Sequence, residues 1–269
     1  MGKKKTFSEL KFSDAFMFAA AMEDEELCRL VLERILELPI RQVRVRPETT
    51  LLVNSDYRGV RLDVYADDEK GTVYDVEMQT TDKHNLPKRS RAYQGQMDMA
   101  VLRPGEDFNV LPQSFIIFIC TYDPFGGERY RYTCETICRE TGEALGDGAH
   151  RIFLNTKGKN AEEEPPELVR FLRYVEGSLA ALDGDDDPLI RRIETRITDI
   201  KRDRSMEVSY MLFSEMLNDE RREGREEERG RLFHLMDLME AGGEADKIPQ
   251  LRRDPQFLQQ MYHKYHMEA

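Results

Sequence analysis

Apolar residues recur at helical spacing near the start of the chain: Phe16, Phe18, Leu27, Leu30, Val31, Ile35 and Leu36. That spacing predicts one helix, opened by a Ser13-Asp14 cap and stopped by Pro39. The period then shortens to two. After Arg41, Val43 and Val45 alternate with Arg44 and Arg46, the pattern of a strand with one wet face, and residues 49–53 predict a second short strand. Residues 61–66 form another expected strand, Asp67-Asp68-Glu69-Lys70-Gly71 a hairpin turn, and residues 72–79 the returning strand. A helix is predicted over 87–102, ended by Pro104-Gly105. Residues 115–120 are apolar on both faces, as in a strand at the centre of a sheet. Residues 130–138 and 151–154 supply further strands. This order predicts an α/β fold, with a mixed-sheet core flanked by helices over residues 1–159.

Beyond residue 159 the periodicity is helical. Helices are expected at 167–182, 188–202 and 205–241, separated by acidic linkers, so residues 160–269 read as a helical C-terminal region. Its long helix carries a charged segment, 218–231, with six acidic and five basic residues among fourteen. Such mixing suits a solvated helix whose charges support one another. Met211, Leu212, Met216, Leu217 and the stripe 232–239 also offer a face for a homo-oligomer through the C-terminal helices.

Composition narrows the function classes. The chain has 269 residues, 40% apolar and 34% charged, enough for one large domain or a domain with an appendage. No run approaches the ~20 apolar residues of a membrane span. The net charge of −12 excludes coating nucleic acid by bulk charge, so any such contact needs a local basic patch. Much of the acidity sits in Glu162 to Glu164 and in Asp183, Asp185, Asp186 and Asp187. Lys83, Lys88, Arg89 and Arg91 provide a patch with no acid among them, which Arg41, Arg44 and Arg46 could extend. Four cysteines without a CxxC pair, and no secretory signal at the start, read as reduced thiols in a cytoplasmic protein. The histidines have no triad pattern, no nucleophile elbow occurs, and no P-loop or Rossmann glycine fingerprint is present.

The segment that carries chemistry is Asp63 … Glu77-Met78-Gln79. Glu77 and Gln79 are two apart and share a strand face. In an antiparallel hairpin turning near 68–70, Asp63 falls opposite Glu77. Two converging carboxylates repel each other unless a cation lies between them. Hard oxygen ligands with open positions suit Mg²⁺ or Mn²⁺, which can acidify a bound water and neutralise charge on a phosphodiester. Ordinary solvated strand charges are the other reading of the same pair.

The ordered set of motifs resembles the PD-(D/E)xK nuclease superfamily, within it the bacterial Rpn-like, recombination-promoting and transposase-like nucleases. The stretches concerned are Phe12-Ser13-Asp14-Ala15-Phe16, Arg61-Leu62-Asp63-Val64-Tyr65-Ala66 and Tyr74-Asp75-Val76-Glu77-Met78-Gln79. Arg89-Ser90-Arg91-Ala92-Tyr93, Ile116-Ile117-Phe118-Ile119, Ser209-Tyr210-Met211 and Glu223-Gly224-Arg225-Glu226-Glu227 follow in order. The resemblance implies a restriction-endonuclease-like core and a Mg²⁺-dependent DNA endonuclease associated with recombination or mobile elements. It implies Asp63, Glu77 and the Met78 carbonyl as metal ligands, with Gln79 orienting the attacking water. Gln79 stands where the wider superfamily has Lys, so Lys88, Arg89 and Arg91 are candidates both for the missing cation and for gripping DNA. Glu33 and Tyr93 are possible accessory residues. The departure at Gln79 leaves a second reading open: a catalytically weak or inactive nuclease fold that serves as a DNA- or protein-binding module.

Overall fold

Short apolar runs build a sheet whose central strands are buried on both faces. The computed structural model describes residues 5–47, 50–51, 60–61, 63–177, 187–251 and 253–267. Its strands are β1 (Val43–Pro47), β2 (Thr50–Leu51), β3 (Val60–Arg61), β4 (Val64–Asp68), β5 (Val73–Gln79), β6 (Ser114–Cys120), β7 (Arg131–Cys134) and β8 (Ala149–Asn155). Six of them form one mixed sheet in the order β1-β4-β5-β6-β8-β7, and β2 pairs with β3 separately. Of the strand expected at 49–53, residues 49, 52 and 53 lie outside the described residues, as does Leu62.

The β4–β5 hairpin is antiparallel, with Val64 opposite Val76 and Asp67 opposite Val73. Its turn is organised by Asp68, whose Oδ1 accepts from the N–H groups of Lys70 at 2.8 Å and Thr72 at 2.9 Å. Gly71 supplies the left-handed backbone, at φ +81°, that closes it. β6 lies parallel to both β5 and β8, and every residue of it is buried. That is the central strand its doubly apolar sequence predicts.

The helices of the first half are α1 (Ala15–Met22), α2 (Glu25–Leu36) and α3 (Leu86–Val101). The single helix expected from residue 13 to Pro39 is two helices. Asp24 adopts extended backbone and its side chain accepts from the Leu27 N–H at 2.8 Å, which starts α2 afresh. α3 packs on one sheet face, where Leu86, Tyr93 and Met97 meet Tyr65, Val73, Ile116, Phe118 and Phe153. On the opposite face Val64, Val76, Ile117, Ile119 and Leu154 are buried, and α1 touches β5 while α2 touches β1.

Phe118 and Phe153 stack in the core with centroids 5.4 Å apart and ring planes 7° apart. Replacing Phe153 by Ala removes that ring from a fully packed site. The expected loss is about 3–5 kcal/mol of folding free energy, read from urea denaturation. An unchanged midpoint would contradict this packing.

α4 (Pro166–Glu176) and α5 (Pro188–Arg202) belong to the same compact unit, which extends to Glu207. The helical region expected from residue 160 is therefore divided, its first two helices lying against the core. Arg34 of α2 clamps the buried Asp187 at 2.8 Å, and Arg170 of α4 reaches the same carboxylate at 3.6 Å. The helix expected at 167–182 ends at Gly177 in left-handed backbone. Residues 178–182, and with them Asp183, Asp185 and Asp186, lie outside the described residues.

The second unit starts at Val208, within α6 (Arg204–Ala241), and includes α7 (Ile248–Leu251) and α8 (Pro255–Lys264). Leu235 and Met239 of α6 are buried against Leu251, Met261 and Tyr262 of the two short helices. Within the 232–239 stripe, expected to face another subunit, Leu235 and Met239 are thus covered by their own chain, whereas Phe233 is exposed. Arg231 fixes the end of the chain by donating to the Met267 carbonyl at 2.6 Å. Met211, Leu212 and Met216 remain exposed. Among the described residues no helix is long and apolar enough to cross a membrane.

Candidate active site

The β4–β5 ladder ends at Val64 and Val76, so the register sets Asp63 one step beyond it, facing Glu77. Backbone groups hold the two carboxylates in place. The Asp63 N–H donates to Glu77 Oε1 at 3.1 Å, and the Met78 N–H donates to Asp63 Oδ2 at 3.2 Å. The N–H and C=O of one strand residue face the same edge. The Met78 carbonyl therefore faces the edge on which Asp63 sits.

Three side chains close around Glu77. The guanidinium of Arg89 contacts Glu77 Oε2 through Nη2, donates to Gln79 Oε1 through Nη1 at 2.8 Å, and donates to the Tyr93 hydroxyl through Nε at 2.6 Å. It lies over the rings of Tyr93 and Phe118, at 5.0 and 5.5 Å from their centroids. Gln79 completes the ring by donating from Nε2 to Glu77 Oε2 at 3.2 Å.

Burial dominates the electrostatics. Glu77 is fully buried, and its carboxyl is pushed up to about 8, first by desolvation and then by the Asp63 charge, against the pull of Arg89. Asp75 is also fully buried on the same strand face, and among the described residues neither of its oxygens has a hydrogen-bond partner. Desolvation, then Glu77 and Asp63, hold its carboxyl well above the usual range. One guanidinium therefore faces three carboxylates. Alternation alone places Asp75 beside Glu77, and that was the available signal for a residue the sequence reading passed over.

The other expected site residues divide. Arg89 turns inward one helical turn before Tyr93, whereas Lys88 and Arg91 are exposed on α3. Register puts Arg46 on the same face as Tyr65, where it pairs with Asp67 at 3.0 Å. Glu33, the possible accessory residue, is engaged elsewhere. Its carboxylate accepts from Arg29 at 2.7 Å and from the Ile40 N–H at 2.9 Å, which ties the end of α2 to the next loop. The cysteines are unbridged, and burial pushes the Cys28 and Cys120 thiols up to about 12, which removes them as nucleophiles.

Among the described residues no three His, Cys, Asp or Glu side chains converge as ready ligands of one ion. Asp63 and Glu77 nonetheless fit a divalent cation. They are hard oxygen donors held together against their repulsion, beside a buried carboxylate that has no hydrogen-bond partner among the described residues. Mg²⁺ commonly takes one or two carboxylates and keeps its waters.

Compared with known protein families, residues 15–230 match the PD-(D/E)XK nuclease family transposases. That match and the mixed sheet with its flanking helices are those of an α/β restriction-endonuclease-like fold with C-terminal helices. Comparisons with curated proteins and with solved structures find no match.

Proposed function

Because the chain belongs to the PD-(D/E)XK nuclease family transposases, we propose that it is a metal-dependent DNA endonuclease. The observation that carries this reading is the facing pair Asp63 and Glu77, each held by backbone from the other's strand. These two, with the Met78 carbonyl, would hold Mg²⁺ or Mn²⁺. Such an ion, when bound, lowers the pKa of a water and offsets charge growing on a phosphodiester. Gln79 can accept from or donate to a water but brings no charge. Arg89, 2.8 Å from Gln79, supplies the positive charge that Gln lacks. Lys88 and Arg91, exposed on the same helix, would take backbone phosphates. A role in recombination or mobile-element movement follows only from the kind of proteins the family groups.

Incubation of the purified protein with duplex and single-stranded DNA, in Mg²⁺ or in EDTA, tests the reading. Cleavage in Mg²⁺ alone is the expected result, and cleavage unaffected by EDTA would remove it. One observation favours the second reading, a binding module: Glu77 Oε2 is already engaged by Arg89 and Gln79. Calorimetry with Mg²⁺ separates the two, because an inactive site need not take up the ion.

A pH dependence follows from Glu77. Its folded pKa is raised from 4.5 to about 8, so the folded chain binds the extra proton between those values. Its contribution to stability is complete below about pH 4.5 and is lost as pH rises through about 8. Thermal melts in EDTA are expected to fall across that window, with a flatter profile for Glu77→Gln and a smaller fall in Mg²⁺. Identical slopes for the two proteins in EDTA would contradict the assignment.

A further inference from the structure

We propose that Asp75 is a third carboxylate of the cation centre, an outer acceptor for water carried by a divalent ion at Asp63 and Glu77. The inference rests on the cation reading above and adds a residue to it. Strand alternation places Asp75 on the face of β5 that bears Glu77, and its ladder partners are Tyr65 and Ile116. The carboxylate is completely shielded from solvent, and among the described residues both of its oxygens are without a hydrogen-bond partner. Burying such a group bare is costly, and native proteins rarely leave one so. Its neighbours on this face are served differently. Ser90 donates to the Pro87 carbonyl at 3.0 Å, and Ser114 meets Gln94 at 2.8 Å.

The polar and charged groups that face Asp75 are Glu77 and Asp63 from the hairpin, Arg89 and Tyr93 from α3, and Tyr65 from β4. Among the described residues Arg89 is the one cation in this group, and all three of its nitrogens are engaged by Glu77, Gln79 and Tyr93. Among the described residues no further cation is given to Asp75, so a divalent ion at Asp63 and Glu77 would supply its positive partner. Direct ligation beside Asp63 and Glu77 does not match the arrangement, because no three acids converge on one point among the described residues. A hydrated Mg²⁺ or Mn²⁺ resolves this, since its retained waters are strong donors that span the gap.

The test is calorimetric titration of the full chain with Mn²⁺, for wild type, Asp75→Asn and Asp75→Ser, with thermal melts in EDTA. Outer-shell partners typically set metal affinity by 10–100-fold. Both variants are expected to bind Mn²⁺ about 10–100-fold more weakly, with Asp75→Asn melting at or above wild type in EDTA. Wild-type Mn²⁺ affinity in both variants would overturn the proposal. So would a lower melt or failure to fold for Asp75→Asn in EDTA, since that marks a structural partner for the carboxylate. If wild type takes up no Mn²⁺, the cation reading itself falls, and the proposal with it; uptake by wild type with unchanged variants removes the proposal alone.

Discussion

Asp63→Asn and Glu77→Gln are each expected to reduce Mg²⁺-dependent DNA cleavage by about a thousand-fold or more. Metal-borne stabilisation of a phosphodiester transition state amounts to several kcal/mol, and each 1.36 kcal/mol is a factor of ten in rate. Both substitutions keep the shape of the side chain and remove the charge an ion would need. Neither is expected to lower the melt of the ion-free protein, which separates lost chemistry from lost structure. Asn at 63 retains an oxygen for the Met78 N–H and relieves the repulsion on Glu77, so the ion-free protein is not destabilised. Gln at 77 keeps a neutral oxygen for Arg89 and cannot ionise, so that variant loses less stability than wild type as pH rises through about 8. Single-turnover cleavage assays beside thermal melts check the pair. Full cleavage by either variant would contradict the assignment.

Arg89→Met carries the second large effect, and it falls on both stability and rate. Removing one partner of a buried ion pair typically costs about 3–5 kcal/mol, because the other charge is left uncompensated. Glu77 is that charge, with its side chain wholly inaccessible. The loss is expected to grow with pH, because a neutral Glu77 carboxyl does not miss the guanidinium. Cleavage is expected to drop by about a hundred-fold as well, the range for losing one preorganised electrostatic group. Arg89→Lys restores charge but not the three-way fork to Glu77, Gln79 and Tyr93, so it should recover only part of either loss. Urea denaturation at two pH values, with cleavage measured in parallel, decides this. An Arg89→Met protein as stable as wild type would show that Glu77 does not depend on the pair.

The architecture was largely readable from the chain, because alternation and turn chemistry act locally. Asp68 and Gly71 specify the hairpin by themselves, and that turn fixes the register which brings Asp63 to Glu77. The apolar run at 115–120 likewise announces a central strand. Periodicity was blind where a polar residue interrupts a pattern without breaking its composition. Asp24 divides an otherwise continuous apolar stretch into two helices by capping the second. Charge type alone also failed to rank Lys88, Arg89 and Arg91. What separates them is spacing on the helix: Arg89 lies four residues before the buried Tyr93 and shares its face, whereas the other two point to solvent. Glu33 shows the converse, a carboxylate of suitable type whose hydrogen bonds are consumed by its own helix and loop.

The central claim is that Asp63 and Glu77 share one divalent ion, and an anomalous-scattering map from a crystal soaked in Mn²⁺ addresses it most directly. A peak is expected within about 2.0–2.6 Å of an oxygen from each carboxylate, the range for hard divalent ions. The same map for Glu77→Gln should lack it. A wild-type map with no peak between these two side chains, at saturating Mn²⁺, would contradict the account.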